Sequence, residues 1–278
     1  MLHPGSASAL VASLLLALFV GAGCEQGCQR DQTSAPRDAG TRLALGTVEG
    51  VVRLAPGATV PSYADDPAPQ IGTKRPPAPA QCPPPRTDDR QPVRLVADRA
   101  LSGVLVTASE FARTPEHAPI THSVEIHGCR LAPTLVAATR GDQLRVLNGD
   151  DYPFLPTMGS GGLMQALTRG QDRIMPLDRG GVFTLSCGWA VGCGRTDVIV
   201  LQHPVHAITD HRGRFRIENV PADDDLKIHA WHPLLHDVTV STRVGVGRSV
   251  HLELTVQPSG APPMPTPAPI DAGRRAPF

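Results

Sequence analysis

The chain has 278 residues, with 26 Lys and Arg balanced by 26 Asp and Glu, and a formal net charge of zero removes the electrostatic case for nucleic-acid binding, which needs a basic face to neutralise phosphates. Aromatics are scarce (6 Phe, 2 Trp, 2 Tyr), and 27 Gly with 29 Pro bring the chain close to a composition typical of disorder. The prolines are uneven, however: eleven fall in residues 56–92 and seven in 258–278, but only nine in the 165 residues between, so the middle can build one or two cores while the flanks read as linker and tail.

In chain order, the first element is an export signal, residues 1–23. Leu10–Val20 is an apolar run of eleven residues, too short to span a bilayer and of the length of a signal-peptide core. It ends in Gly21-Ala22-Gly23-Cys24, which resembles the lipobox of bacterial lipoproteins, although Gly21 replaces the preferred Leu and no Lys or Arg precedes the run. That resemblance implies a lipidated Cys24 as the new N-terminus, in the outer membrane and facing the periplasm or the surface. Residues 24–44 then form a flexible tether, and the Pro-rich segment 56–92 an extended, solvated spacer. No other stretch approaches transmembrane length.

Export places the thiols in an oxidising compartment. Beyond Cys24 they are Cys28, Cys82, Cys129, Cys187 and Cys193, and spacing alone does not determine their connectivity. Cys187 and Cys193 enclose five residues, which suits a short local bridge; Cys82 with Cys129 is the second candidate pair, leaving Cys28 over.

Between Val93 and Val256 short apolar runs alternate with turn residues, and long stretches of helical period are absent. Eleven strands are expected, at 93–97, 103–108, 123–126, 143–148, 182–187, 197–201, 205–209, 214–218, 226–231, 238–242 and 249–256. The last is the cleanest, with Val250, Leu252, Leu254 and Val256 alternating with polar neighbours. Arg140-Gly-Asp142 and Asp210–Gly213 are among the turns that separate them. So many short strands predict an all-β protein of two sandwich modules.

Two segments carry family resemblances. Gly128–Pro133, Arg140–Asp150 and Gly181–Cys187 together resemble a plastocyanin-type cupredoxin, in particular the cupredoxin-like proteins labelled methylamine utilisation protein. Ala207–Pro221 and Leu226–Pro233 are similar to the carboxypeptidase regulatory-like module, a transthyretin-like β-sandwich. The resemblance implies a cupredoxin-like Greek-key sandwich at residues 45–202, followed by a small transthyretin-like module at 203–257 and a disordered Pro-rich tail at 258–278. Residues 205–256 are then expected to pair mainly among themselves.

A blue-copper site needs two imidazoles, a thiolate and usually a weak axial Met. By the resemblance Cys187 is the thiolate, Phe154 stands near the first His position, and Cys193 stands where the axial Met belongs. No His occurs between His127 and His203, so the metal site is degenerate. Other donors exist: His229, His232 and His236 are spaced to converge if helical, though Pro233 and the strand-like alternation oppose a helix. Met158, Met164 and Met175 could suit a soft metal, but methionines more often fill cores, and Asp223–Asp225 reads as a solvated turn. No nucleophile elbow, zinc-protease, Walker or dinucleotide motif is present.

The expectation is therefore a non-catalytic cell-envelope lipoprotein, not an enzyme and without a cofactor. Its role is binding or scaffolding, with the membrane and an unidentified envelope protein or polysaccharide as partners. The alternative is a copper-binding electron-transfer or metal-handling protein with non-standard ligands.

Overall fold

The computed structural model describes residues 43–63, 79–83, 91–159, 165–188 and 192–260. The expected export signal, Cys24, Cys28 and nearly all of the expected tether and tail lie outside them. Among the described residues no helix is long and apolar enough to cross a membrane.

The protein is all-β, with seventeen strands among the described residues. The first, β1 (Leu45–Leu54), buries every second residue, as a half-buried strand must. After two short strands, β2 (Arg94–Leu95) and β3 (Leu101–Ser102), comes β4 (Leu105–Ser109). Eight strands then run without returning to the first sandwich: β5 (Thr121–His127), β6 (Arg130–Ala132), β7 (Leu135–Thr139), β8 (Gln143–Asn148), β9 (Pro156–Met158), β10 (Asp172–Pro176), β11 (Gly181–Cys187) and β12 (Arg195–Leu201). The chain ends in β13 (His206–Ile208), β14 (Arg214–Pro221), β15 (Leu226–His232), β16 (Leu235–Thr242) and β17 (Ser249–Val256).

Each of the eleven expected strands overlaps an observed one, and β8 and β17 agree to the residue. The largest omission is β1, whose Gly46 and Gly50 hide an otherwise regular alternation. Gly50 is needed there, because a Cβ at that position would lie 1.9 Å from the Leu252 carbonyl oxygen.

The strands form two sandwiches. In the first, the sheet β14-β1-β17 packs on the sheet β13-β4-β15-β16 around Val48, Val52, Val106, Phe215, Ile228 and Leu254. In the second, β10-β8-β5-β6 packs on β7-β12-β11-β9 around Val124, Leu144, Phe154, Leu185 and Val198. The boundary expected at residue 202 is therefore corrected. β1 lies between β14 and β17, and β4 between β13 and β15, so strands from the N-terminal half are central in the C-terminal module. The second sandwich is an insertion between β4 and β13.

Residues 205–256 accordingly do not pair mainly among themselves; only β15 and β16 do so. Unpaired central edges leave backbone groups without partners. A fragment covering residues 203–260 alone is expected to be unfolded by circular dichroism, and to gain structure only when residues 43–111 are joined to it. A folded fragment would contradict this topology.

The two sandwiches stack. Leu135, Ala137, Ile199 and Leu201 turn away from their own core toward Leu105, Ile208 and Trp231 of the first sandwich. Strands β7 and β12 are thus covered on both faces, which is why they read as continuous apolar runs rather than alternating ones. The Pro-rich stretch 56–92 is also more than a spacer. Tyr63 hydrogen-bonds Asp197 on β12, and Cys82 is disulfide-bonded to Cys129, so its described parts are attached to the inserted sandwich at two points.

Candidate functional site

The position that the resemblance assigned to copper, at Cys187 and Phe154, lies at one end of the inserted sandwich. Strand β11 delivers Cys187, which pairs in register with Pro156 of β9; the Gly188 amide donates to the Leu155 carbonyl at 2.9 Å. Residues 154–156 are therefore brought alongside residues 187–188. Cys187 is bonded to Cys193 with Cα atoms 5.3 Å apart, so neither sulfur is a thiolate. Phe154 is 1% exposed, is fixed by paired backbone hydrogen bonds to Leu167 of 3.1 and 2.7 Å, and stacks edge-on against Tyr152. Met158 and Met175 pack against the core; Met164 and Trp189–Val191 fall outside the described residues.

The segment Asn148–Asp150 braces this end of the sandwich. Asn148 donates its side-chain amide to the carbonyls of Tyr152 and Leu167, both at 2.8 Å, and its Oδ1 accepts from the Asp150 amide at 2.9 Å. Asp150 in turn accepts from the amides of Gly128 and Cys129 at 2.9 and 2.6 Å. The Asn148 amide and the Asp150 carboxylate are thus both engaged in structural hydrogen bonds.

His229, His232 and His236 do not converge, because they sit on the strand pair β15–β16 rather than on a helix. His229 contacts Ser109 at 2.8 Å and Thr239 at 3.0 Å. His232 is fully buried and accepts at Nδ1 from the Leu234 amide at 3.2 Å. His236 is exposed. Among the described residues no group of three or more His, Cys, Asp or Glu is placed to hold a metal ion.

Two buried polar knots escaped the sequence. At one, Asp142 (1% exposed) accepts from Nε2 of His117 at 2.6 Å and of His122 at 2.9 Å, and from the amides of Ile120 and Thr139 at 3.0 and 2.8 Å. Burial opposes its charge, but these four donors outweigh it and hold the carboxyl down at about 2. Thr139 links the knot to His206 at 3.2 Å. At the other, the fully buried Asp197 pairs with Arg195 at 2.8 Å and accepts from Tyr63, while the Arg195 guanidinium lies 3.8 Å above the Tyr63 ring. Burial pushes the Asp197 carboxyl up, against the pull of Arg195 and Tyr63. No local motif marks either knot, since His117, Ile120 and His122 lie 20 or more residues from Asp142 and Tyr63 lies 134 from Asp197.

Three histidines are held neutral. Burial, assisted by nearby His229, depresses His203 to about 4; burial and the neighbouring histidines do the same for His206, to about 4; burial and Arg195 depress His232 to about 3. For each, the unfolded chain binds a proton below about 6.5 that the native state refuses until about 4 or 3, so stability falls as pH drops through that window. Asp142 adds loss of the same sign between 3.8 and about 2, and Asp197, with its raised carboxyl, offsets part. The expected sum is on the order of several kcal/mol, enough to unfold a marginally stable domain near pH 4. Thermal melts from about pH 7 to pH 4 test this, and an unchanged midpoint would refute it.

These features define an all-β protein of two stacked sandwiches. No family model matches the chain, and no curated protein does. Similar solved structures are cupredoxins. A reduced amicyanin point mutant is 15% identical and covers 34% of this chain and 99% of its own, with a TM-score of 0.27. Amicyanin from Paracoccus versutus is 20% identical, covering 32% and 87%, with a TM-score of 0.26. A purple cupredoxin from Nitrosopumilus maritimus is 14% identical, covering 28% and 98%, with a TM-score of 0.26.

Proposed function

We propose that this chain is a non-catalytic lipoprotein of the bacterial cell envelope, exported by residues 1–23 and anchored through Cys24. In this reading its cupredoxin-like insertion has exchanged a copper site for a disulfide and serves in binding or scaffolding. The observation that carries the proposal is the Cys187–Cys193 bridge beside Phe154. A type 1 centre draws its colour from a thiolate bound with two imidazoles; the disulfide leaves Cys187 no thiolate to offer, and the buried Phe154 carries no donor atom, which supports this reading. Such modules present edges and loops to other molecules, an inference from architecture.

The test is to add Cu(II) to oxidised and to reduced protein and record visible absorption and electron paramagnetic resonance. The expected result is no intense thiolate-to-copper band in either state, with the reduced protein re-oxidising to the disulfide. A strong band with one copper retained per chain would overturn the proposal in favour of an electron-transfer or metal-handling protein using other ligands.

A further inference from the structure

The sheet β14-β1-β17 has an outer face, on the side of the first sandwich away from the insertion, that carries an open groove of about 620 Å³. Its donors are Arg53, Arg212, Arg214, His211 and His251. Glu253 bonds Arg53 at 2.7 Å, which neutralises that pair. Arg212 and Arg214 are exposed and have no ion-pair partner among the described residues.

Both arginines are mounted on a rigid tip. The Asp210 carboxylate accepts from their backbone amides at 2.8 and 2.9 Å. Gly213 between them has φ 73°, and a Cβ there would lie 2.6 Å from the Ala100 Cβ, so the tip is seated directly on the neighbouring turn. That turn holds two consecutive non-glycine residues in the left-handed region, Asp98 (φ 54°) and Arg99 (φ 59°). It is fastened by Arg99 to the carbonyls of Leu54 and Ala58 at 3.1 and 2.8 Å, and by Arg53 to the Asp98 carbonyl. This holds the exposed Asp98 at the groove wall.

The groove thus offers the Arg212 and Arg214 guanidinium forks, which form no ion pair within 4 Å among the described residues, together with two imidazoles, the Asp98 carboxylate and the Arg53–Glu253 pair. Forks recognise carboxylate or phosphate oxygens. Carboxylates accept only from hydroxyl or amine donors when ionised, and they repel a densely charged polyanion. The only rings that line it among the described residues are the His211 and His251 imidazoles, and without a Phe, Tyr or Trp a neutral sugar would lack a broad stacking platform. The chemistry that satisfies all of these is one carboxylate surrounded by hydroxyls.

We propose that this groove binds an acidic sugar, a hexuronate unit of a polysaccharide, with Arg212 and Arg214 taking the carboxylate and Asp98 and Glu253 accepting ring hydroxyls. This deepens the binding role proposed above and rests on it, but the two fail separately. Copper retention would overturn the account of the inserted sandwich whatever the groove does, and loss of uronate binding would overturn only the groove.

The experiment is calorimetric titration of the full chain at low salt with trigalacturonate, maltotriose and inorganic phosphate. The expected result is saturable binding of trigalacturonate alone, weakened by added salt through screening. Arg212→Ala with Arg214→Ala should weaken it about tenfold or more, the loss of charge-assisted hydrogen bonds, without lowering the melting temperature. Phosphate binding as tightly as the uronate would reduce the groove to a bare anion contact. Equal binding of maltotriose, or an unchanged affinity in the double variant, would place recognition elsewhere. Each of these three results overturns the proposal.

Discussion

Replacing Asp142 with Ala is expected to destabilise the protein by about 3–5 kcal/mol, the range for removing one member of a buried charged network. Asp142 sits in the turn between β7 and β8, yet its carboxylate holds His117, Ile120 and His122, the segment through which the chain enters the inserted sandwich from β4. Because an ionised carboxylate only accepts, both imidazoles must carry their proton on Nε2. Without it the amides of Ile120 and Thr139 lose their partners, and each buried donor left unmade costs about 1–3 kcal/mol. Asn at this position would return one acceptor but turn an amide donor toward existing donors, so it should recover little. His117→Ala, which removes a part-exposed partner, should cost about 1 kcal/mol. Chemical denaturation of the three variants checks the ranking; a near-neutral Asp142→Ala would show that the knot does not stabilise the insertion.

Phe215→Ala should be comparably severe, about 3–5 kcal/mol for a buried aromatic truncated to a cavity. Phe215 is 4% exposed on β14 and pairs in register with Gly50 of β1. A Cβ on Gly50 would come within 3.0 Å of the Phe215 ring as well as striking the Leu252 carbonyl. The ring therefore fills the space that the glycine leaves, and neither residue can change alone. Because β1 pairs with both β14 and β17, the loss should reach residues at both ends of the chain. Hydrogen exchange should show β1, β14 and β17 losing protection together. Loosening confined to β14 would mean that the three strands are not one cooperative unit.

The Cys187–Cys193 bridge was legible because it depends on which residue types are present and how close they are. The absence of His between His127 and His203 can be counted, and the close spacing of Cys187 and Cys193 anticipates their bridge. Asp142 was legible only as part of an Arg-Gly-Asp turn. Its role as the partner of two histidines depends on how the β4–β5 connection returns to that turn, and nothing in the adjacent residues encodes this. Asp197 reads as one polar residue before an apolar run; its burial follows from Tyr63, 134 positions earlier, folding over it.

Strand rhythm was determined by the sequence itself, since side chains alternate with a period of two and four to eight residues suffice to display it. Val250–Val256 and Gln143–Asn148 therefore declared themselves. Pairing was decided only in three dimensions. Leu45–Leu54 lies between strands that begin at Arg214 and Ser249, and the ladder bonds joining them are made by backbone groups that every residue shares. The same holds for the seam between the sandwiches. Leu135 and Ile199 became buried on a second face because Trp231 and Leu105 closed over them, a consequence of where the insertion leaves and re-enters the first sandwich. Module boundaries follow from such long-range contacts, whereas strand positions follow from neighbours along the chain.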